Sequence, residues 1–77
     1  MAYKLISCDG QDGLPNASVE VKYVGTTYDV IRASIGGQGI FANNVDALHT
    51  SRIEDIYIQD IHVIIETRNS IYTFEIC

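Results

Sequence analysis

The last 25 residues, Ile53 to Cys77, constrain the fold most, because nearly every residue there is β-branched, aromatic or part of a short turn. Such side chains fit a pleated, half-buried surface and fit a helix poorly. Register sharpens the reading. With Arg68-Asn69 as a two-residue turn, Ile65 faces Tyr72, Val63 faces Phe74 and Ile61 faces Ile76, all on one face. On the other face Glu66 meets Ile71, Ile64 meets Thr73 and His62 meets Glu75. A one-residue slip mixes the two faces, whereas a two-residue slip, with the turn at Asn69-Ser70, preserves them. Asn tolerates positive φ, so both turns are chemically sound.

Upstream of this hairpin, Ile53 to Ile58 reads as a strand, with Gln59-Asp60 turning the chain. That turn sets Ile58 opposite Ile61, Ile56 opposite Val63 and Tyr57 opposite His62. The outward face then shows Ile53, Tyr57, Ile64 and Ile71. So much aliphatic surface on a chain of 77 residues predicts a cover, either a second layer of the sheet or a dimer interface. We take these four residues as the expected interface of a homo-oligomer.

Nearer the start, Tyr3 to Cys8 reads as a first strand. Asp9 to Asn16 is dense in turn formers and lacks the spacing of a calcium-binding EF-hand loop, so it reads as a surface loop. Ser18 to Ser34 reads as a hairpin about Gly25-Thr26, with Tyr23 facing Tyr28, Val21 facing Val30, Lys22 facing Asp29 and Val19 facing Arg32. Gly36-Gly37-Gln38-Gly39 leads into no helix and carries no Lys-Ser/Thr pair. It reads as a tight bend or bulge rather than a phosphate loop, with ligand contact as the alternative. Asn43 to Leu48 is the one helix-friendly stretch. It predicts a single helical turn capped by Asn44, with Val45 and Leu48 plugging one end of the core.

These elements predict one all-β domain over residues 1–77: a small curled antiparallel sheet or SH3-like barrel of five to six strands, with one short helical turn. A ferredoxin-like α+β fold needs two helices that the chain does not supply. A chain of this size buries only about 60% of its unfolded surface, so its stability must come from a dense β core or self-association. A hydrophobic content of 47% is ample for such a core.

Charge bears on partners. Five basic and ten acidic residues give a net charge of −5, and the basic residues are scattered. Direct nucleic-acid binding needs a basic patch and is disfavoured. The acidic balance suits solubility or a protein partner with a basic surface. The N-terminal stretch has no apolar core of a signal peptide and no run long enough to span a bilayer, so the expected location is cytoplasmic, with no membrane partner. Cys8 and Cys77 are then expected to be reduced.

The search for catalytic chemistry finds no catalytic residue, metal or cofactor to assign. His49 and His62 are the only histidines, too few for a metal site by themselves. Glu54-Asp55 point to opposite faces of a strand and cannot act as a dyad. His62 opposite Glu75 reads as a cross-strand polar pair. His49-Thr50-Ser51-Arg52 reads as a polar connecting segment.

Thr50-Ser51-Arg52-Ile53, followed by Thr67-Arg68-Asn69-Ser70-Ile71-Tyr72 in the closing hairpin, resembles the small uncharacterised β proteins carried by phages and integron gene cassettes. The resemblance covers about the last 28 residues. It implies a compact β domain with an accessory, mobile-element role, often oligomeric, and transfers no functional residue. If the two polar segments meet in space, Ser51, Arg52, Arg68, Asn69, Ser70 and Tyr72 form the candidate recognition cluster.

The functional expectation is a non-enzymatic interaction protein that self-associates and presents an acidic surface to a protein partner. The alternative is a small-ligand or nucleotide-binding protein with a pocket lined by Arg52, Arg68 and Tyr72. A small enzyme is the third reading, and it requires a nucleophile and base converging on His49 or His62.

Overall fold

The computed structural model describes residues 2–10 and 23–76. Six strands follow in order: β1 (Ala2–Gly10), β2 (Thr27–Arg32), β3 (Gln38–Ala42), β4 (Ala47–Gln59), β5 (His62–Thr67) and β6 (Ser70–Ile76). Each pairs antiparallel with the next, and β6 returns to β1 to close a barrel. The protein is therefore all-β. Closure leaves fewer open strand edges, which would otherwise invite pairing with other chains.

The terminal hairpin has the expected register, with His62 opposite Glu75, Val63 opposite Phe74, Ile65 opposite Tyr72 and Glu66 opposite Ile71. Thr67 selects this register over the two-residue slip. Its Oγ1 donates to the Ser70 carbonyl at 2.8 Å and accepts from the Ser70 N–H at 3.0 Å, clamping the Arg68-Asn69 turn.

The preceding hairpin turns one residue later than expected, at Asp60-Ile61, with Gln59 opposite His62, Tyr57 opposite Ile64 and Ile56 opposite Ile65. Asp60 adopts a φ of 58°, a left-handed conformation that Asp tolerates better than most residues. The faces are unchanged by this shift, but Tyr57 meets Ile64 rather than His62.

β4 is longer than expected. It runs straight through His49-Thr50-Ser51-Arg52, which is strand rather than connection. Its first half pairs with β3 and its second with β5. A bulge between Ile53 and Asp55 reverses the alternation midway. Ile53 consequently points inward and is fully buried, while Tyr57 points outward and is exposed. Ile53 is thus a core residue and not part of an outer interface.

The hairpin expected about Gly25-Thr26 is replaced by a long-range pairing. Residues 18–22 lie outside the described residues. Tyr28 lies opposite Tyr3 rather than Tyr23, and Asp29 lies opposite Ala2 on one side and Ala42 on the other. Both edges of β2 are therefore used at this point. The Gly25 N–H donates to the Leu5 carbonyl at 2.8 Å, and the Leu5 N–H donates to the Thr26 carbonyl at 3.0 Å, so this turn docks against β1.

The expected helical turn at 44–48 is instead a tight strand connection. Asn43 Oδ1 accepts from the N–H groups of Val45 at 2.8 Å and Asp46 at 2.7 Å. This side-chain turn competes with helix formation for the same N–H groups. Leu48 joins the core from β4, but Val45 is 87% exposed and plugs nothing.

The core gathers Leu5, Cys8, Tyr28, Phe41, Leu48, Ile53, Ile65, Tyr72 and Phe74. Phe41 and Phe74 stack across the barrel with ring centroids 4.6 Å apart. The Gly36–Gly39 stretch is the bend and bulge expected of it. Gly36 has a φ of 90°, which an L side chain rarely adopts. Gly39 is buried, and its N–H donates to Thr50 Oγ1 at 2.9 Å.

Candidate functional site

At the end of the barrel that carries Tyr3 and the β4–β5 turn, the interior opens into a cavity of about 200 Å³. Phe41, Ile65 and Phe74, all buried, form its base. Ile56 and Ile58 from β4 and Val63 from β5 make one wall. Val30 from β2, the adjoining Ala33, and Tyr3 from β1 make the other. Tyr3 alone among these lining residues carries a polar side-chain atom. Val30 is 40% exposed and Ile58 69% exposed, so the rim reaches solvent. An apolar cavity of roughly 150 Å³ suffices for a benzene ring. This mouth therefore has room for a small ring or for one bulky aliphatic or aromatic side chain.

The alternation of Ile56, Ile58, Val63 and Ile65 marks one wall in the sequence. The opposite wall had no local signal. Tyr3 and Val30 meet there, above Phe41 of the base, only because β1 and β3 flank β2.

The polar segments of the expected recognition cluster do meet, at the opposite end of β5 and β6. The Arg68 N–H donates to the Arg52 carbonyl at 2.8 Å, and the Asn69 N–H donates to Ser51 Oγ at 3.2 Å. Arg52, Arg68 and Asn69 are exposed there. Ser70 and Tyr72 belong to the interior instead, at 5% and 6% exposure. Tyr72 sits opposite Cys8 across β1 and β6. Burial pushes its hydroxyl up to about 12 from an ordinary value of 10; the neighbouring Cys8 adds to the rise and a Ser70 hydrogen bond opposes it. Neither Arg52, Arg68 nor Tyr72 lines the cavity at the mouth.

Of the four residues expected at an outer interface, Tyr57, Ile64 and Ile71 share the outer sheet face. Tyr57 is directly opposite Ile64, and Ile71 is opposite Glu66. His49 is exposed opposite Ile40, and His62 is opposite Glu75. Among the described residues, no group of three or more His, Cys, Asp and Glu side chains is arranged to hold a metal ion. Among the same residues, no helix is long and apolar enough to cross a membrane. Cys8 is a buried thiol in the core, beside Tyr72, and Cys77 lies outside the described residues.

Comparison with known proteins finds no match to any family model, curated protein or solved structure.

Proposed function

We propose that the protein is a non-enzymatic interaction domain whose barrel mouth receives an apolar group from a protein partner, while its acidic exterior favours partners with a basic surface. The observation that carries this reading is the apolar cavity with a solvent-exposed aliphatic rim. Removing apolar surface from water contributes roughly 25 cal/mol per Å², so filling the mouth is favourable in itself. Among the described residues the lining carries no Lys or Arg for an anionic ligand, which favours an apolar side chain over a nucleotide as the occupant. The net charge of −5 supplies the preference for basic partners. A cytoplasmic accessory role of the kind found in mobile elements is the setting in which we place such a domain.

Self-association is the second reading. It is favoured by exposed aliphatics beyond the cavity, with Ile31 and Ile35 each 63% exposed and Ile61 54% exposed. It is opposed by the like charge that two copies bring together.

Titration of methyl-labelled protein with indole, a neutral ring that fits the cavity, tests the first reading by NMR. Saturable shifts are expected at the methyls of Val30, Ile56, Ile58, Val63 and Ile65, with those of Leu48 and Ile53 unmoved. No saturable response, or an equal response in both groups, overturns it.

A further inference from the structure

We propose that the outer edge of β4, from Glu54 to Gln59, is a strand-addition site for an extended basic peptide with bulky apolar residues at alternate positions. The proposal rests on the mouth being a binding site and names the chemistry of its partner.

Among the described residues, the edge is open where the cavity begins. On its β3 side, the β4 ladder ends at Ile53, whose N–H donates to the Gly37 carbonyl and whose carbonyl accepts from the Gly36 N–H, each at 2.8 Å. Among the described residues, no strand pairs with this side of β4 beyond that point. The direction of the main-chain groups follows from the neighbouring ladder. The Ile76 N–H donates to the Ile61 carbonyl at 2.8 Å, so Ile61, Val63 and Ile65 address β6. His62, Ile64 and Glu66 must then address β4, bonding Gln59, Tyr57 and Asp55 opposite them. Ile56 and Ile58 therefore turn their N–H and carbonyl groups outward, away from β5. A separate observation agrees: the Ile56 N–H donates to the adjacent Asp55 Oδ1 at 2.9 Å, as an edge donor does when its neighbour's side chain caps it.

The side chains set the sequence preference of the occupant. Ile56 and Ile58 line the cavity. A peptide residue paired with either of them projects onto the same face, into the mouth. The intervening peptide residues lie on the outer face, beside Asp55 and Tyr57. From Ile53 to Thr67 the chain carries Glu54, Asp55, Asp60 and Glu66 with no Lys or Arg. Asp55 and Glu66 are directly opposite one another, a like-charge pair that a cation relieves. Lysine or arginine at the outward positions supplies that cation. As the peptide carbonyl takes over the Ile56 N–H, the Asp55 carboxylate is released to pair with it. The same carboxylates disfavour a second copy of β4 as the added strand, since it would bring an identical set.

The test uses ¹⁵N-labelled full-length protein and a heptapeptide of alternating Lys and Leu. A control peptide is N-methylated at its leucines, the residues whose N–H groups meet Ile56 and Ile58. We expect saturating peptide to slow amide exchange at Ile56 and Ile58 at least tenfold, and the N-methylated peptide to bind at least tenfold more weakly. Three results overturn the proposal: no slowing at these amides, equal binding of the two peptides, or concentration-dependent protection of these amides without peptide, which would make a second copy the occupant. Indole added to peptide-free samples of the same protein separates the two levels. If it still moves the mouth methyls, only strand addition is wrong; if it does not, the reading of the mouth as a binding site falls as well.

Discussion

At one end of the barrel, Thr50, Thr67 and Ser70 are almost completely buried, at 2%, 0% and 5% exposure. Their polar atoms are paired locally. Thr50 Oγ1 accepts from Gly39 N–H at 2.9 Å and donates to the Ser51 carbonyl at 2.7 Å, and Thr67 clamps Ser70. At the other end, Tyr3, Val30 and Ile58 surround an open cavity that is almost wholly apolar. The difference teaches where each end's free energy lies. A sealed end needs every buried polar group paired, because an unpaired one costs about 1–3 kcal/mol. An open end keeps apolar surface in contact with water, which favours the arrival of something to cover it. Substitutions should accordingly damage folding at the sealed end and binding at the mouth.

The largest expected effect is at Gly39. A Cβ there would lie 2.9 Å from Thr50 Oγ1, 3.1 Å from Phe41 Cε2 and 3.2 Å from Ile53 Cδ1. Gly39→Val should destabilise the fold by about 3 kcal/mol in urea unfolding, since a packed core resists added volume. A cost below about 0.5 kcal/mol would show that the sealed end is loosely packed.

Tyr72 gives an effect on the order of 2–3 kcal/mol, visible only in alkali. Its hydroxyl ionises near 10 when unfolded and near 12 when folded. The folded state therefore holds the proton more tightly. Its contribution to stability is complete below pH 10 and is lost as the pH rises from 10 to 12. Denaturant midpoints across this range should fall more steeply for the wild type than for Tyr72→Phe. Parallel curves would mean that the hydroxyl is not sequestered.

Thr67→Val keeps the shape but removes both hydrogen bonds to Ser70, leaving a buried N–H unpaired. A loss of about 1–2 kcal/mol in thermal unfolding is expected. The smallest stability effect belongs to the mouth. Ile58→Ser should change stability by no more than about 0.5 kcal/mol, because Ile58 is largely exposed. The same change should weaken indole binding several-fold. The reverse pattern, with stability lost and indole binding intact, would break the contrast between the two ends.

Much of the fold was legible where the signal was local. Apolar residues at alternate positions on both arms, Ile61-Val63-Ile65 and Tyr72-Phe74-Ile76, and a short polar turn determine the closing hairpin, and the fold class follows from it. Legibility failed where distant strands decide. The Gly25-Thr26 turn signal is real, but β1 takes the edge of β2 that a local hairpin would have used. The bulge at Glu54 left no mark in the composition, and it alone moves Ile53 from the outer face to the core. Asn43 rather than Asn44 organises its turn, and its side chain draws the N–H groups that a helix would need. The sequence left open whether the two polar segments meet; Ser51 and Asn69 do, yet Ser70 and Tyr72 turn inward, and Tyr72 shares the face of Ile65, which is the barrel interior. The mouth was least legible of all. Its lining comes from all six strands, so it exists only once the barrel closes.

The most direct test of this contrast is amide hydrogen exchange in the free protein, read residue by residue along β4. Fast exchange is expected at Ile56 and Ile58, whose N–H groups point away from β5, and exchange at least tenfold slower at Tyr57 and Gln59, which bond to it. Equal protection of all four amides would contradict this, because the edge beside the mouth would then already be filled.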